Sequence, residues 1–466
     1  MKPGPLSRAR SPVSEARTHP YAARALALLL GGLATLAATA RLGAAPQEEP
    51  ASRPAALASS SLVVYATGQS LGSLEPCECV EGMAGGFPRR LALLARERRV
   101  RPGPRLVVDT GDLTGKAFHP RLLETKTRAA LELLARSEAV IAVGDKDLRI
   151  GVSKLRELAD ATGARVVCAN LAEGGKQVFP GSVSLSLGAQ TWRIVGLLDP
   201  LLCPPELSCE DPAKALAREL QPGERGVVLF HGSARAAAAL AAVKGVELIV
   251  CGEDQQRNRP LKTIKGVSLV EVVRDARSVA RVELDSQKAT SKLTYLPLDG
   301  RVPDDRWARA RVDRYYQDVA GLPEPPRQPT PAGGSYTGAQ TCGGCHVPQY
   351  QVFKKTLHHG AQARVTKKDP KRAKLGECTT CHVTGFGFEG GFVDMKRSAH
   401  LAEVGCEACH GVGERHAQKG GGRGFGVKTG FPGSWKPVCV GCHDSTNSPN
   451  FDFEKALAKI KHWKDR

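Results

Sequence analysis

The pentapeptide Cys-x-x-Cys-His occurs four times in the last third of the sequence. The copies are Cys342-Gly343-Gly344-Cys345-His346, Cys378-Thr379-Thr380-Cys381-His382, Cys406-Glu407-Ala408-Cys409-His410 and Cys439-Val440-Gly441-Cys442-His443. In each, two thiols are spaced to add across the vinyl groups of one haem, and the adjoining imidazole is placed to ligate its iron. Zinc sites also use Cys-x-x-Cys, but they have no need of a histidine directly after the second cysteine, four times over. The spacing therefore predicts four covalently attached haems c, with His346, His382, His410 and His443 as proximal ligands. It also constrains the fold. Residues 336–466 are rich in Gly and poor in apolar periodicity, so the porphyrins are expected to supply most of the apolar core of a mainly helical and irregular haem domain.

The N-terminus points to export. Residues 25–40 run through apolar or small side chains between Arg24 and Arg41, after a stretch with Lys2, Arg8, Arg10 and Arg17 against the single Glu15. Gly43, Ala44 and Ala45 offer a cleavage point, so residues 1–45 read as a secretory signal peptide. The run is shorter than the ~20 residues that span a bilayer comfortably, which makes a retained membrane anchor the lesser alternative. Export to the periplasm agrees with the motifs, because haem c is attached on the oxidising side of the membrane.

The formal net charge of +19 does not imply nucleic acid. Part of the excess lies in the signal segment. From residue 336 onward there are 20 Lys and Arg against 11 Asp and Glu, and the propionates of four haems would offset most of that difference. The cluster Lys367-Lys368-Asp369-Pro370-Lys371-Arg372 is a solvated loop or a surface that steers an acidic redox partner.

Residues 46–60 are rich in Pro, Ala and Ser and read as a flexible leader. Over 61–295, short apolar runs alternate with Ala/Leu/Arg-rich helical stretches such as 123–136 and 233–243. The candidate strands are 62–65, 106–109, 140–143, 165–168, 192–195, 227–230 and 248–251. Continuous apolar strands separated by helices predict an α/β layered sandwich with buried sheets. Residues 268–285 read as two further strands with no helix between them, forming a closing hairpin. Residues 296–335 form a Pro-rich linker, with a helical piece over Trp307–Val319 followed by a stiff spacer from Pro323 to Pro331. Outside the motifs, Cys203 and Cys209 are spaced for a surface disulfide, and Cys168 and Cys251 close apolar strands as buried thiols. Cys77-Glu78-Cys79 suits structural thiols, a redox-active pair or a soft-metal site.

Five further histidines lie in the haem domain: His358, His359, His400, His416 and His462. So many in one short domain point to distal iron ligands, and at least three are expected to serve. The stretches Tyr336-Thr337-Gly338-Ala339, Thr356-Leu357-His358, Cys381-His382-Val383-Thr384-Gly385-Phe386, Val404 to Gly411 with His416, and Ser448 to Phe453 near His462 resemble the tetrahaem cytochrome c-554 family. That resemblance implies closely stacked haem pairs, mostly bis-histidine irons and one iron able to be five-coordinate. It makes His358 and His416 the first candidates for distal ligands, then His462, then His400, with His359 an alternative to its neighbour.

The α/β part is similar to the calcineurin-like metallophosphoesterases, in the branch that includes 5′-nucleotidases. The likeness rests on Val108-Asp109-Thr110-Gly111-Asp112, Val143-Gly144-Asp145-Lys146-Asp147, His231-Gly232 and Cys251-Gly252-Glu253-Asp254. That family clamps phosphate between two metals. Here Asp112 and His231 remain, but Ala66-Thr67-Gly68-Gln69 lacks the Asp-x-His of the first strand. Asp145-Lys146 replaces Asn-His, and the final pair of His is gone. Hydrolysis is therefore not expected.

The favoured function is electron transfer through four haems c, to and from other cytochromes or membrane quinone-linked complexes. The alternatives are a multihaem oxidoreductase acting on a small nitrogen compound at an open iron, and a 5′-nucleotidase-type hydrolase with accessory haems.

Overall fold

A computed structural model describes residues 61–462, except 77–83, 116–119, 188–189, 254–256, 286–289, 325, 331–332, 371, 423–434, 445–447 and 449. The residues read as a signal peptide and a leader, and the Cys77/Cys79 pair, lie outside the described residues. Among those described, no helix is long and apolar enough to cross a membrane.

The strands are β1 (Ser61–Thr67), β2 (Arg105–Asp109), β3 (Val140–Ala142), β4 (Arg165–Val167), β5 (Leu171–Glu173), β6 (Lys176–Gln177), β7 (Ser182–Leu187) and β8 (Gln190–Leu198). They continue with β9 (Ser208–Cys209), β10 (Arg225–His231), β11 (Val246–Gly252), β12 (Lys262–Ile264), β13 (Val267–Glu271), β14 (Ser278–Asp285) and β15 (Thr290–Pro297). They form one six-stranded sheet in the order β15-β14-β1-β2-β3-β4 and a second in the order β12-β13-β11-β10-β8-β7, with a small sheet β6-β5-β9. Within the first, β1 to β4 are parallel; within the second, β8, β10, β11 and β13 are parallel. Every strand expected from the apolar runs is present.

Burial on both faces explains those continuous runs. Leu62, Val64 and Ala66 of β1 meet Val227 and Leu229 of β10 and Leu248 and Val250 of β11 in a core between the two sheets. The alternate residues of β10 and β11, Val228, Phe230, Ile249 and Cys251, face the other way. They pack on α4 (Pro212–Glu219) and α5 (Ala234–Ala237). The outer face of the first sheet carries α1 (Phe87–Val100), α2 (Pro120–Arg136) and α3 (Val152–Thr162). The result is a four-layer sandwich, helices outside and sheets inside.

Two local expectations change. The strands read over 268–285 do not pair with one another: β13 joins the second sheet and β14 the first. Between them Asp275 and Ala276 adopt φ of 59° and 44°, and the Asp275 amide donates to the Gln69 carbonyl at 2.7 Å. This turn carries the chain across the sandwich, and the hairpin is β14–β15 instead. The helix read within the linker, α6 (Arg306–Ala320), packs into the main core through Ala308, Val312 and Tyr315. Arg311 pairs with Glu132 of α2, and Tyr316 donates to Glu75.

Cys203 and Cys209 form the expected disulfide, with Cα atoms 6.2 Å apart. Cys168 and Cys251 are buried thiols, and burial pushes the pKa of each up to about 12.

After α6 the chain is not a free spacer. Gln328 pairs with Phe388 as a parallel bridge, Arg327 donates to the Phe388 and Phe392 carbonyls at 3.2 and 3.0 Å, and Arg397 pairs with Glu324 at 2.6 Å. The remainder is built from short helices: α7 (Ala339–Cys345), α8 (Val347–Lys354), α9 (Ala361–Lys368), α10 (Gly376–His382), α11 (Cys406–His410), α12 (Glu414–Gln418), α13 (Lys436–Val440) and α14 (Phe453–Ile460). Among the described residues, its buried apolar cluster comprises just Val383, Phe392 and Leu401, with Tyr336, Phe386 and Ala402 packed around them.

The packing of α6 makes a prediction about fragments. Burying Val312, Tyr315 and Ala308 is worth on the order of 3–5 kcal/mol. A fragment of residues 61–322 should therefore resist urea better than one of 61–300 by about that amount. Equal urea midpoints for the two would refute the assignment of α6 to this core.

Candidate haem centre and strand-end cluster

Helical spacing brings the thiols and imidazole of each motif to one side of the chain. Cysteines three residues apart lie on one face of a turn, with the histidine above the first of them. Motif one fills the end of α7, where the His346 amide donates to the Cys342 carbonyl at 2.9 Å. Motifs two and three occupy α10 and α11. Motif four starts in α13 and closes with His443 donating its amide to the Cys439 carbonyl at 2.9 Å.

Three motif histidines each lie beside one of the further histidines. Ring centroids of His346 and His416 are 6.1 Å apart, those of His443 and His358 6.1 Å, and those of His410 and His462 5.8 Å. Nδ1 of His416 contacts the Gly422 carbonyl, Nδ1 of His462 the Ile460 carbonyl and Nδ1 of His443 the Ser448 hydroxyl, each at 3.0 Å. A ring that donates from Nδ1 to a carbonyl keeps Nε2 as the unprotonated nitrogen. His382 has no aromatic ring packed against it among the described residues, and its Nδ1 is buried without a hydrogen-bond partner.

His359 and His400 stand apart. Nδ1 of His359 lies 2.7 Å from a Glu403 carboxylate oxygen, and its ring meets the edge of Phe353. The neighbouring His358 is the one that turns to a motif histidine. His400 is exposed on a short 3₁₀ turn and packs against Gly338.

Two features had no signal in the spacing. Cys342 of motif one lies near Cys406 of motif three, and Cys381 of motif two near Cys442 of motif four. Glu407, inside the third motif, is buried and accepts from the amides of Thr337, Gly338 and Gly413 at 2.7–3.0 Å. It ties α11 to the segment that leads into α7.

Removing the Glu407 carboxylate leaves three amides without their acceptor, at a cost on the order of 3 kcal/mol. Glu407→Ala should lower the thermal midpoint and the haem recovered per chain, measured on the mature protein. An unchanged midpoint and haem content would show that the clamp is dispensable.

The carboxyl ends of the parallel strands gather a second cluster, at the edge where α/β folds place ligands. Gly111 lets the loop after β2 approach β3, because a Cβ there would lie 2.5 Å from the Ala142 carbonyl oxygen. This brings Asp112 opposite Lys146: the ammonium lies 2.5 Å from Asp112 Oδ2 and 3.3 Å from Asp145 Oδ1. The Lys146 amide also donates to Asp112 Oδ1 at 3.0 Å. His231, at the end of β10, has Nε2 3.1 Å from Asp145 and 3.5 Å from Asp112, with Nδ1 2.8 Å from the Thr110 carbonyl. Beneath them Asp147 accepts from the amides of Asp112, Leu113, Thr114 and Gly144. Apart from these, Arg90 and Asp109 form a buried pair at 2.9 Å, linking α1 to β2.

These residues do not fit two metals. Position 68, after β1, is Gly, and a Cβ there would lie 1.9 Å from Thr110 Oγ1, so no ligand side chain has room. The neighbouring Thr67 hydroxyl is spent on Asp109 at 2.7 Å. Among the described residues, Asp112, Asp145 and His231 are the one group whose donor atoms lie within 4.8 Å of one another, and the Lys146 ammonium already engages both of its carboxylates.

Burial opposes the charge of His231, but Asp145, Asp112 and the Thr110 carbonyl outweigh it and raise the imidazole to about 8. The folded pKa lies above the ordinary 6.5, so the contribution is complete below pH 6.5 and is lost as pH rises through about 8. Its size is on the order of 2 kcal/mol. The thermal midpoint of the α/β layers should fall by a few degrees between about pH 6.5 and 9, and His231→Gln should flatten that fall. A wild-type profile that is level over this range would contradict the charged pair.

Comparison with known proteins divides along the same lines. Residues 341–411 match the family described as cytochrome c554 and c-prime. Cytochrome c-554 of Nitrosomonas europaea is 36% identical over 95 residues, covering 18% of this chain and 40% of that protein. The chain thus spans less than half the length of this relative. The 5′-nucleotidase precursor from Thermus thermophilus is similar in structure with a TM-score of 0.50 at 20% identity, covering 58% of this chain and 61% of that one. The NAD nucleotidase of Haemophilus influenzae gives 0.49 at 14% identity, covering 60% and 64%. At such identities the structural likeness concerns the fold alone. The C-terminal part of the chain is therefore similar to cytochrome c-554, and the α/β layers share the fold of the 5′-nucleotidases.

Proposed function

We propose that this chain is an exported, periplasmic cytochrome that carries electrons through four haems c. The haems would be attached at Cys342 and Cys345, Cys378 and Cys381, Cys406 and Cys409, and Cys439 and Cys442. When bound, each haem supplies a one-electron Fe(III)/Fe(II) couple. His346, His382, His410 and His443 would serve as the motif ligands, and His416, His358 and His462, which lie beside His346, His443 and His410, would supply second imidazoles.

One observation carries this reading. Metal–imidazole bonds of about 2 Å on either side of an iron leave the two ring centroids about 6 Å apart. Three motif histidines lie beside a second imidazole at 5.8–6.1 Å, and in each of these pairs at least one ring has its Nδ1 engaged. Bis-histidine ligation closes an iron to small molecules and suits it to electron transfer. The nearness of motif one to motif three and of motif two to motif four supports two close haem pairs. The partners are redox proteins, other cytochromes or quinone-linked membrane complexes. The α/β layers serve as a scaffold or docking surface and hydrolyse nothing.

A second reading attaches to His382 alone, which has no ring opposite it among the described residues. An iron held there would be five-coordinate and open to a small nitrogen compound. His400 is not among the ligands in either reading.

Mature protein should contain four haems that acid–acetone does not extract. Replacing His416, His358 or His462 singly by Ala should turn one low-spin EPR signal high-spin and leave the others, whereas His400→Ala should change none. Two or fewer haems per chain, or unaltered low-spin signals in all three variants, would overturn the proposal.

A further inference from the structure

We infer that the Lys146 ammonium is a resident cation of the strand-end cluster, standing where Asp112, Asp145 and His231 would otherwise hold a single divalent metal. The inference concerns the α/β layers and does not depend on the haem reading.

Asp112 is fully buried and Asp145 is 24% exposed at its side chain. Two carboxylates converging on one point need a positive charge between them, or one must take up a proton. Lys146 delivers that charge from within the chain. Its ammonium reaches both carboxylates, and its own backbone is pinned on either side. The amide donates to Asp112, and the carbonyl accepts from the Thr114 hydroxyl at 2.5 Å. The cation is therefore tethered at its site, and its effective concentration there exceeds that of any free ion. A divalent ion bound to Asp112 would stand within a few ångströms of the ammonium, and like charges so close repel at this part-buried site. Metal could enter only after Lys146 had left.

The adjacent residue fits the same account. Where the resembling phosphoesterases have Asn-His, two neutral ligands, this chain has Asp145-Lys146. The pair adds one negative and one positive charge together, and its ammonium is shared with Asp112. His231 bridges the carboxylates from the opposite side, with Nδ1 fixed by the Thr110 carbonyl. The donor set is kept together by an internal ion pair.

The test uses the full-length haem-loaded protein, stripped with EDTA and then dialysed against Mn²⁺, with metal counted by mass spectrometry and stability followed by thermal unfolding. Wild type should take up no Mn²⁺ at this cluster and keep its midpoint in EDTA. Lys146→Ala should lose stability in EDTA, bind one Mn²⁺ per chain at least 100-fold more tightly than wild type, and recover its midpoint as it does so. Adding Asp112→Asn should abolish that binding. Lys146→Arg, which keeps a cation, should remain stable and metal-free, and it tests the idea even if the alanine variant does not fold. Wild-type uptake of Mn²⁺ that Asp112→Asn removes would overturn the inference. So would a Lys146→Ala protein that is as stable as wild type in EDTA and binds nothing.

Discussion

Strands buried on both faces set the plan of the N-terminal layers. In β10, Val227 and Leu229 point into the space between the sheets while Val228 and Phe230 point at the helices. Such a strand has no solvent face and must sit in the middle of its sheet with cover on each side. Parallel neighbours follow from the helical crossovers, and all their carboxyl ends then open at one edge. That edge is where Asp112, Asp145, Lys146 and His231 meet. The cluster is a consequence of strand direction before it is a matter of side chains.

Charge decides what the edge can do. Converging loops at such an edge could hold a metal, but here a lysine reaches both carboxylates. Position 68 has no room for a ligand, and the hydroxyl before it is committed to Asp109. Likeness of fold to the 5′-nucleotidases therefore carries no activity with it.

The C-terminal part is organised differently. Its small apolar cluster cannot by itself order so many short helices, most of them too short to be stable alone. Local ties take over. Glu407 collects three amides from two segments, Gln328 and Arg327 fasten the linker to the loop around Phe388, and Glu403 holds His359 aside. On the proposed reading, covalently attached porphyrins supply the remaining apolar surface, and the imidazole pairs draw distant segments together across each iron.

The sequence alone determined whatever chemistry is complete within a few residues. The Cys-x-x-Cys-His motifs, the Cys203–Cys209 disulfide and the apolar runs of the strands are of this kind, because covalent spacing and local periodicity do not depend on the rest of the chain. Departures from the resembling phosphoesterase pattern were legible for the same reason, position by position. Tertiary structure decided everything that joins residues far apart. It separated His358 from His359 by turning one ring to His443 and the other to Glu403. It sent β13 and β14 to opposite sheets through the turn at Asp275, and it drew α6 into the main core. It also set the Lys146 ammonium against Asp112, a residue on a different strand end. Each of these depends on strand order and on which face of a helix is buried, and neither is written in any short stretch of residues.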